Sequence, residues 1–392
     1  MMIENRIYLD NSATTALCQA AKEKLLAAME TYGNPSSLHP IGQEAHALVE
    51  EARREIAATL GVRTGLRAGQ LIFTASGTEA DHLAIVGSAY AKERRRGGRI
   101  VSTDCEHAAV ENSLCALEKQ GFEVIRISTK GGELDWESYA AALNARTFLV
   151  TIMMVNNEIG AAFDLKRAFA MAKAVNPDIV THTDAVQGYL KCRFTPAQIG
   201  ADLVSISGHK IHAPKGVGAL YVSPESLKRR DIVTTMPGGG QEFGFRSGTE
   251  NVMSIAAFGA AAKEGFAHLG NDLSHLSDLR TYALEKLSAL DITLHLPTGA
   301  VAPHVINFSL PDIKSETMVH ALSQDGICVS GGSACSTHSN TLSRALLSFG
   351  VPKNEVECSI RVSFGRYNTR EDVDALVDAL ERSIKRLVKI HR

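Results

Sequence analysis

Lys210 stands at the end of an apolar run, in Leu203-Val204-Ser205-Ile206-Ser207-Gly208-His209-Lys210. Burial of a lysine lowers the pKa of its amine, and a neutral amine can form a Schiff base with a carbonyl. Ser207 and His209, just before it, offer a hydroxyl and an imidazole that suit a phosphate. A lone lysine in a polar turn is ordinarily solvated, so other residues must supply a reason for chemistry here.

The ends of the neighbouring apolar runs supply it. Leu71–Thr74 is followed by Ser76-Gly77-Thr78-Glu79, which opens a helix. Free amides at a helix start cradle anions, although the same pattern serves as a simple cap. Arg99–Ser102 leads to Cys105-Glu106-His107, and Phe148–Met153 leads to Asn156-Asn157-Glu158. Ile179–Thr183 leads to Asp184-Ala185-Val186-Gln187. The set is thus an anion cradle, an imidazole, an amide, a carboxylate and an amine. A phosphorylated aldehyde with a ring nitrogen needs a lysine for its carbonyl and a cradle for its phosphate. It also needs a carboxylate to keep the ring nitrogen protonated, which makes the ring an electron sink. That cofactor is pyridoxal 5′-phosphate (PLP). No G-x-G-x-x-G follows a strand, and no phosphate loop of the G-x-x-x-x-G-K-[ST] type occurs. His209-Lys210-Ile211-His212 lacks the spacing of a zinc helix, so no metal is expected.

Three further stretches carry chemistry-bearing residues. Gly238-Gly239-Gly240-Gln241 runs into Arg246-Ser247-Gly248-Thr249 before a helix, which suits either a second anion contact or an interdomain turn. Gly331-Gly332-Ser333-Ala334-Cys335-Ser336-Thr337-His338 sets a cysteine among small residues, where His338 favours its thiolate. Read alone, Cys335 is more simply an incidental thiol. Arg361 lies mid-strand in Ser359-Ile360-Arg361-Val362-Ser363 and needs an anion, either a substrate carboxylate or an internal salt bridge.

These residues need a scaffold, and the pattern predicts one. Seven apolar runs, including Glu123–Ile127 and Gly218–Val222, alternate with helical stretches such as Glu79–Arg94 and Asp164–Val175. Such alternation predicts an α/β fold, a mainly parallel sheet with helices on both faces and ligands at the carboxyl ends of its strands. From Leu273 the pattern changes to α+β: helix Leu273–Leu290, strands near 292–296, 304–309, 327–330 and 360–364, and a last helix over 371–389. The expected division is a large domain over 15–260 and a small one formed by 1–14 and 261–392, which carries the Cys335 loop.

The chain has 392 residues, 45% hydrophobic and 21% charged, with a net charge of −2. That balance argues against a general nucleic-acid or anionic-membrane partner. No apolar run approaches a membrane span, and the N-terminus lacks the features of a signal peptide. Seven scattered cysteines without a C-x-x-C pair fit free thiols in a reducing cytoplasm.

The chain resembles the cysteine desulfurases of NifS/IscS type, fold-type I enzymes related to class V aminotransferases. The resemblance rests on Tyr8-Leu9-Asp10-Asn11, Gly33-Asn34-Pro35-Ser36-Ser37, Ser76-Gly77-Thr78-Glu79, Asn156-Asn157-Glu158-Ile159-Gly160, Ser207-Gly208-His209-Lys210, Arg246-Ser247-Gly248-Thr249, Gly332-Ser333-Ala334-Cys335 and Arg361. It implies a seven-stranded, mainly parallel sheet plus a smaller α+β domain. It also implies that Lys210 forms the Schiff base with PLP, Asp184 pairs with the ring nitrogen, Gln187 meets the ring hydroxyl, and His107 stacks on the ring and moves protons. Gly77, Thr78, Ser207 and His209 would hold the phosphate, with Thr249 reaching across from a second subunit of a homodimer. Arg361, Asn34 and Asn157 would bind the carboxylate of L-cysteine. Cys335 would take the sulfur as a persulfide, leave alanine, and deliver sulfur to an acceptor protein such as an iron–sulfur scaffold or a carrier.

Some positions depart from the pattern. Ala108 stands where lysine is usual, and Glu242-Phe243-Gly244-Phe245 replaces a more basic stretch. Eight residues separate Cys335 from Arg344, a short Ser/Thr-rich spacing that suggests a specialised member of the family. A selenocysteine lyase, or another class V lyase or aminotransferase, is the alternative on the same fold.

Overall fold

Seven apolar runs alternating with amphipathic helices must hide two apolar faces, and here they do so as one sheet. The computed structural model describes residues 6–65, 69–92, 95–332 and 342–387. After a lead-in strand β1 (Ile7–Tyr8) come β2 (Gln70–Thr74), β3 (Arg99–Thr103), β4 (Glu123–Ile127), β5 (Thr147–Thr151), β6 (Val180–Asp184), β7 (Leu203–Ser207) and β8 (Gly218–Val222). The last seven pair in the order β2-β8-β7-β6-β5-β3-β4, with β8 alone antiparallel to its neighbours. The order reverses where β5 adds to β3 on the side away from β4, a switch point of the kind that opens a ligand crevice.

Alternate strand residues feed two cores. Leu71, Phe73, Val101, Val150, Ile206 and Tyr221 pack on one face, and Ile72, Ile100, Leu149, Leu203 and Leu220 on the other. Both faces are covered, which explains why these strands read as continuous apolar runs instead of alternating ones. The fifth strand ends earlier than the sequence suggests, at Thr151. The Met153 amide turns to the buried Glu106 carboxylate, 2.9 Å away, instead of continuing the ladder.

The C-terminal part builds its own sheet. Strands β9 (Thr293–Leu294), β10 (Val305–Ser309), β12 (Ser330–Gly331) and β13 (Ser359–Ser363) join in the order β12-β13-β10-β9, while β11 (Ile327–Cys328) pairs in parallel with β1. Leu9, Leu279, Phe308, Ile360 and Leu376 share the core beneath it, so the N-terminal lead-in packs with the C-terminal half. The helix expected after Thr249 and the helix read as Leu273–Leu290 are one helix, Val252–Leu287. Gly270 costs a helix interior only about 1 kcal/mol. Packing at both ends outweighs that cost, since residues such as Phe258 lie in the large core and Leu279 in the small one.

Candidate functional site

Local sequence explains how each strand end delivers its residue. Beyond β2, Ser76 adopts an extended backbone and its side chain accepts the Glu79 amide at 3.2 Å, capping helix Gly77–Tyr90. The Ala80 amide bonds to the Ser76 carbonyl, so the Gly77 and Thr78 amides remain at the helix start as anion donors. Glycine is required there. A Cβ on Gly77 would meet Val186 Cγ2 at 2.7 Å and Ser207 Cβ at 3.3 Å.

Beyond β3, His107 caps helix Ala108–Glu118, its Nδ1 accepting the Ala109 amide at 3.2 Å. That bond leaves the proton of the neutral ring on Nε2. Burial lowers the His107 pKa, the Lys210 charge lowers it further, and Asp184 opposes both. At the end of β6, the Asp184 carboxylate accepts the Val186 amide at 2.8 Å. Burial raises its pKa, against His107, that amide and Lys210. Asp184 has no ion-pair partner among the described residues. A buried carboxylate placed in this way is stabilised by a cationic N–H brought to it.

Lys210 follows β7 after one tight turn, Gly208–Lys210. Its Nζ donates to the Ser12 and Ala13 carbonyls at 2.6 and 2.7 Å. His209, its pKa pushed down to about 4 mainly by burial, is neutral at pH 7, and its Nδ1 lies 3.2 Å from Thr14 Oγ1.

These residues meet on one cavity of about 390 Å³, whose wall includes Gly77, Thr78, His107, Asn157, Asp184, Gln187, Ser207, His209, Lys210 and Arg361. Ten positions spread over most of the chain are therefore neighbours. Arg361 donates to Asp10 Oδ1 at 2.8 Å, to Ser330 Oγ at 3.1 Å and to the Asn157 carbonyl at 3.2 Å. It forms the internal salt bridge, yet its buried Nε has no hydrogen-bond partner. That donor is left for a further anion.

Three residues expected at the site are not among those ten. Asn34 is exposed, does not line this cavity, and its side chain accepts the Ser36 amide at 2.9 Å. Thr249 is also exposed and away from the wall. Cys335 lies outside the described residues. Conversely, Asp10, Ser12, Ala13 and Asp81 line the cavity, although their own types and spacing do not single them out for it. Asp10-Asn11-Ser12-Ala13 reads locally as a polar turn, and only the fold brings it beside Lys210.

The cavity fits PLP on its own observations. Ser207 Oγ is buried beside the Gly77–Thr78 amides with no partner, as a phosphate ligand requires. Asp184 awaits a cation, and Lys210 is the one lysine on the wall among the described residues.

Known proteins share this arrangement of chain and fold. The family model for aminotransferase class-V matches residues 7–376. A cysteine desulfurase IscS of Dictyoglomus turgidum is 36% identical over 389 residues, covering 98% of this chain and 96% of that protein. A solved NifS-like protein superposes with a TM-score of 0.90 at 32% identity, covering 98% of this chain and 100% of its own. A structure described as SspA in complex with cysteine superposes with a TM-score of 0.78 at 28% identity, covering 93% of this chain and 100% of its own.

Proposed function

The chain belongs to the class V aminotransferase family, among its NifS/IscS-type cysteine desulfurases, and on that premise we propose that it converts L-cysteine to L-alanine with PLP. The sulfur passes to Cys335 as a persulfide and then to an acceptor protein. The observation that carries this reading is the convergence of Lys210, Asp184, His107 and the Gly77–Thr78 amides on one cavity.

PLP, when bound, supplies an electron sink for bonds at the substrate's α-carbon and β-carbon. Gly77, Thr78, Ser207 and His209 would hold its phosphate, Asp184 its ring nitrogen, Gln187 its ring hydroxyl and Lys210 its aldehyde. His107, with Nδ1 occupied by the Ala109 amide, can offer Nε2 to the reacting centre. Lys210 Nζ, swung away from the Ser12 and Ala13 carbonyls, can carry a proton to or from carbon.

Arg361, with Asn157, would hold the substrate carboxylate through the Nε–H that Asp10 and Ser330 leave unsatisfied. Arg361→Ala is expected to raise KM for L-cysteine about 100-fold and to change kcat much less, since it removes a charge-assisted contact made before chemistry. Steady-state alanine formation measures this, and an unchanged KM would make Arg361 structural.

A homodimer suits residues that this chain alone leaves outside the cavity. Thr249 and Asn34 are exposed, and so are Leu26, Met29, Tyr32 and Leu38 around the latter. Exposed large apolar side chains so near in sequence support contact with a second copy, to whose site Thr249 would contribute. Free, dispersed cysteines support a cytoplasmic setting. Delivery to an iron–sulfur scaffold or carrier is in keeping with the relative named IscS.

The test is direct. Loaded with PLP and given L-cysteine and a thiol reductant, the protein should yield alanine and sulfide in equal amounts. Pyruvate with sulfide and no alanine would move the function to another lyase, and mercaptopyruvate without sulfide would move it to an aminotransferase.

A further inference from the structure

Lys191 is a buried lysine without a carboxylate partner. It is 9% exposed, and its Nζ donates to Gln187 Oε1 at 2.9 Å. No ion pair involves it among the described residues. Burying an amine in this way destabilises the fold without recompense from an opposite charge, so a leucine or methionine would serve the fold better. Burial brings its pKa down to about 7, and the charges of Lys210 and Arg361 push the same way against Cys192. What the residue does must therefore act through the amide it touches.

Gln187 is held at both ends. Its Nε2 donates to the Ser12 carbonyl at 2.9 Å, the same oxygen that accepts Lys210 Nζ at 2.6 Å. A carbonyl oxygen only accepts, so the amide nitrogen must be on that side. The other end, Oε1, meets Lys191 at 2.9 Å and His304 Nε2 at 3.3 Å. His304 is fully buried and held neutral by that burial, so its single N–H can be the second donor to Oε1. Lys191, His304 and Lys210 also share the wall of a second, smaller cavity of about 40 Å³ behind the first.

We propose that Lys191 is a positioning residue that keeps the Gln187 oxygen turned into the protein and its NH₂ turned to the cavity, so that Gln187 meets the bound ring only as a hydrogen-bond donor. The inference rests on the PLP reading above. If the amide flipped, an oxygen would face the ring oxygen and repel it. A donor in that position favours an acceptor at the ring's hydroxyl position and is indifferent to a ring that has none. Lys191 thus gives selectivity without touching the ligand.

The experiment is equilibrium binding of two probes to the apo form of the full-length protein: PLP, and 3-deoxypyridoxal 5′-phosphate, which lacks the ring hydroxyl. Lys191→Met is expected to cut the preference for PLP about tenfold, with affinity for the deoxy probe nearly unchanged, as loss of one positioned hydrogen bond predicts. In a Gln187→Leu background the preference is already lost, and Lys191→Met should add less than about a twofold change. Equal weakening of both probes, or an unchanged preference, would overturn the assignment and leave Lys191 a packing residue. Should Lys191→Met fail to fold, His304→Leu removes the other donor to the same oxygen and should lower the preference about threefold; no change there would equally overturn it. Failure of the wild-type protein to take up PLP at all would overturn the cofactor reading too, and it is seen in the wild-type arm alone.

Discussion

Lys210→Ala should leave a protein without the absorption band of a lysine–PLP Schiff base after PLP loading and with alanine formation reduced by at least about 10⁴-fold. The geometry makes the effect this large because no second amine among the described residues can stand in. Lys210 is the one lysine they place on the cavity wall, and Lys191 nearby is committed to Gln187 on the far side. The Lys210 Nζ donates to two main-chain carbonyls, Ser12 and Ala13, at 2.6 and 2.7 Å. Asp184 and His107 would be left in place, so non-covalent uptake of PLP should weaken without vanishing. Absorption spectroscopy of the loaded variant beside wild type, with alanine measured on the same samples, checks both halves. An unchanged visible band would remove Lys210 from the chemistry.

The parts of this site that could be read from sequence are those written in consecutive residues. Each apolar run fell in a strand, and five of the seven carried a site residue at or within a few positions of the strand end, from Gly77 after β2 to Lys210 after β7. Parallel strands made those ends neighbours, so topology turned five separate segments into one wall. What could not be read depends on contacts far apart in sequence. Ser12 and Lys210 are 198 residues apart, and Asp10 and Arg361 are 351 apart. Nothing local in a polar lead-in announces either contact. Lys191 looks like any lysine in a turn, and only the fold buries it and sets it on one small cavity with His304 and Phe364. Arg361 stayed ambiguous for a chemical reason, because a guanidinium has enough donors to serve Asp10 and a further anion together. The single helix Val252–Leu287 was hidden by Gly270, a weak helix former that packing at both ends overrides.

Cys335→Ala should reduce alanine formation from L-cysteine by at least about 10³-fold while leaving the visible absorbance of the loaded protein unchanged. Breaking the substrate's carbon–sulfur bond in this reaction leaves the electron pair on carbon. Sulfur must therefore depart as S⁰ to a nucleophile, forming a sulfur–sulfur bond as the carbon–sulfur bond breaks. The carbon then takes a proton and is released as alanine. Only a thiolate does this without an added oxidant. None of the other six cysteines, all among the described residues, lines the cavity. Cys105, which shares a strand end with His107, is fully buried, and burial beside Glu106 drives its thiol pKa far up. The Cys192 thiol, next to Lys191, is pushed up to about 11 by burial. Neither can supply a thiolate near neutral pH. The chain on either side of Cys335 is tied to the site: Ser330 hydrogen-bonds to both Asp10 and Arg361, and Ser343 donates to the Glu158 carboxylate. The same wild-type and Cys335→Ala pair, assayed for alanine and for protein-bound persulfide, separates the two chemistries open to this fold. Equal turnover by both would keep the PLP site and replace sulfur transfer with lyase or aminotransferase chemistry. Loss of alanine and persulfide together ties the activity to that one thiol.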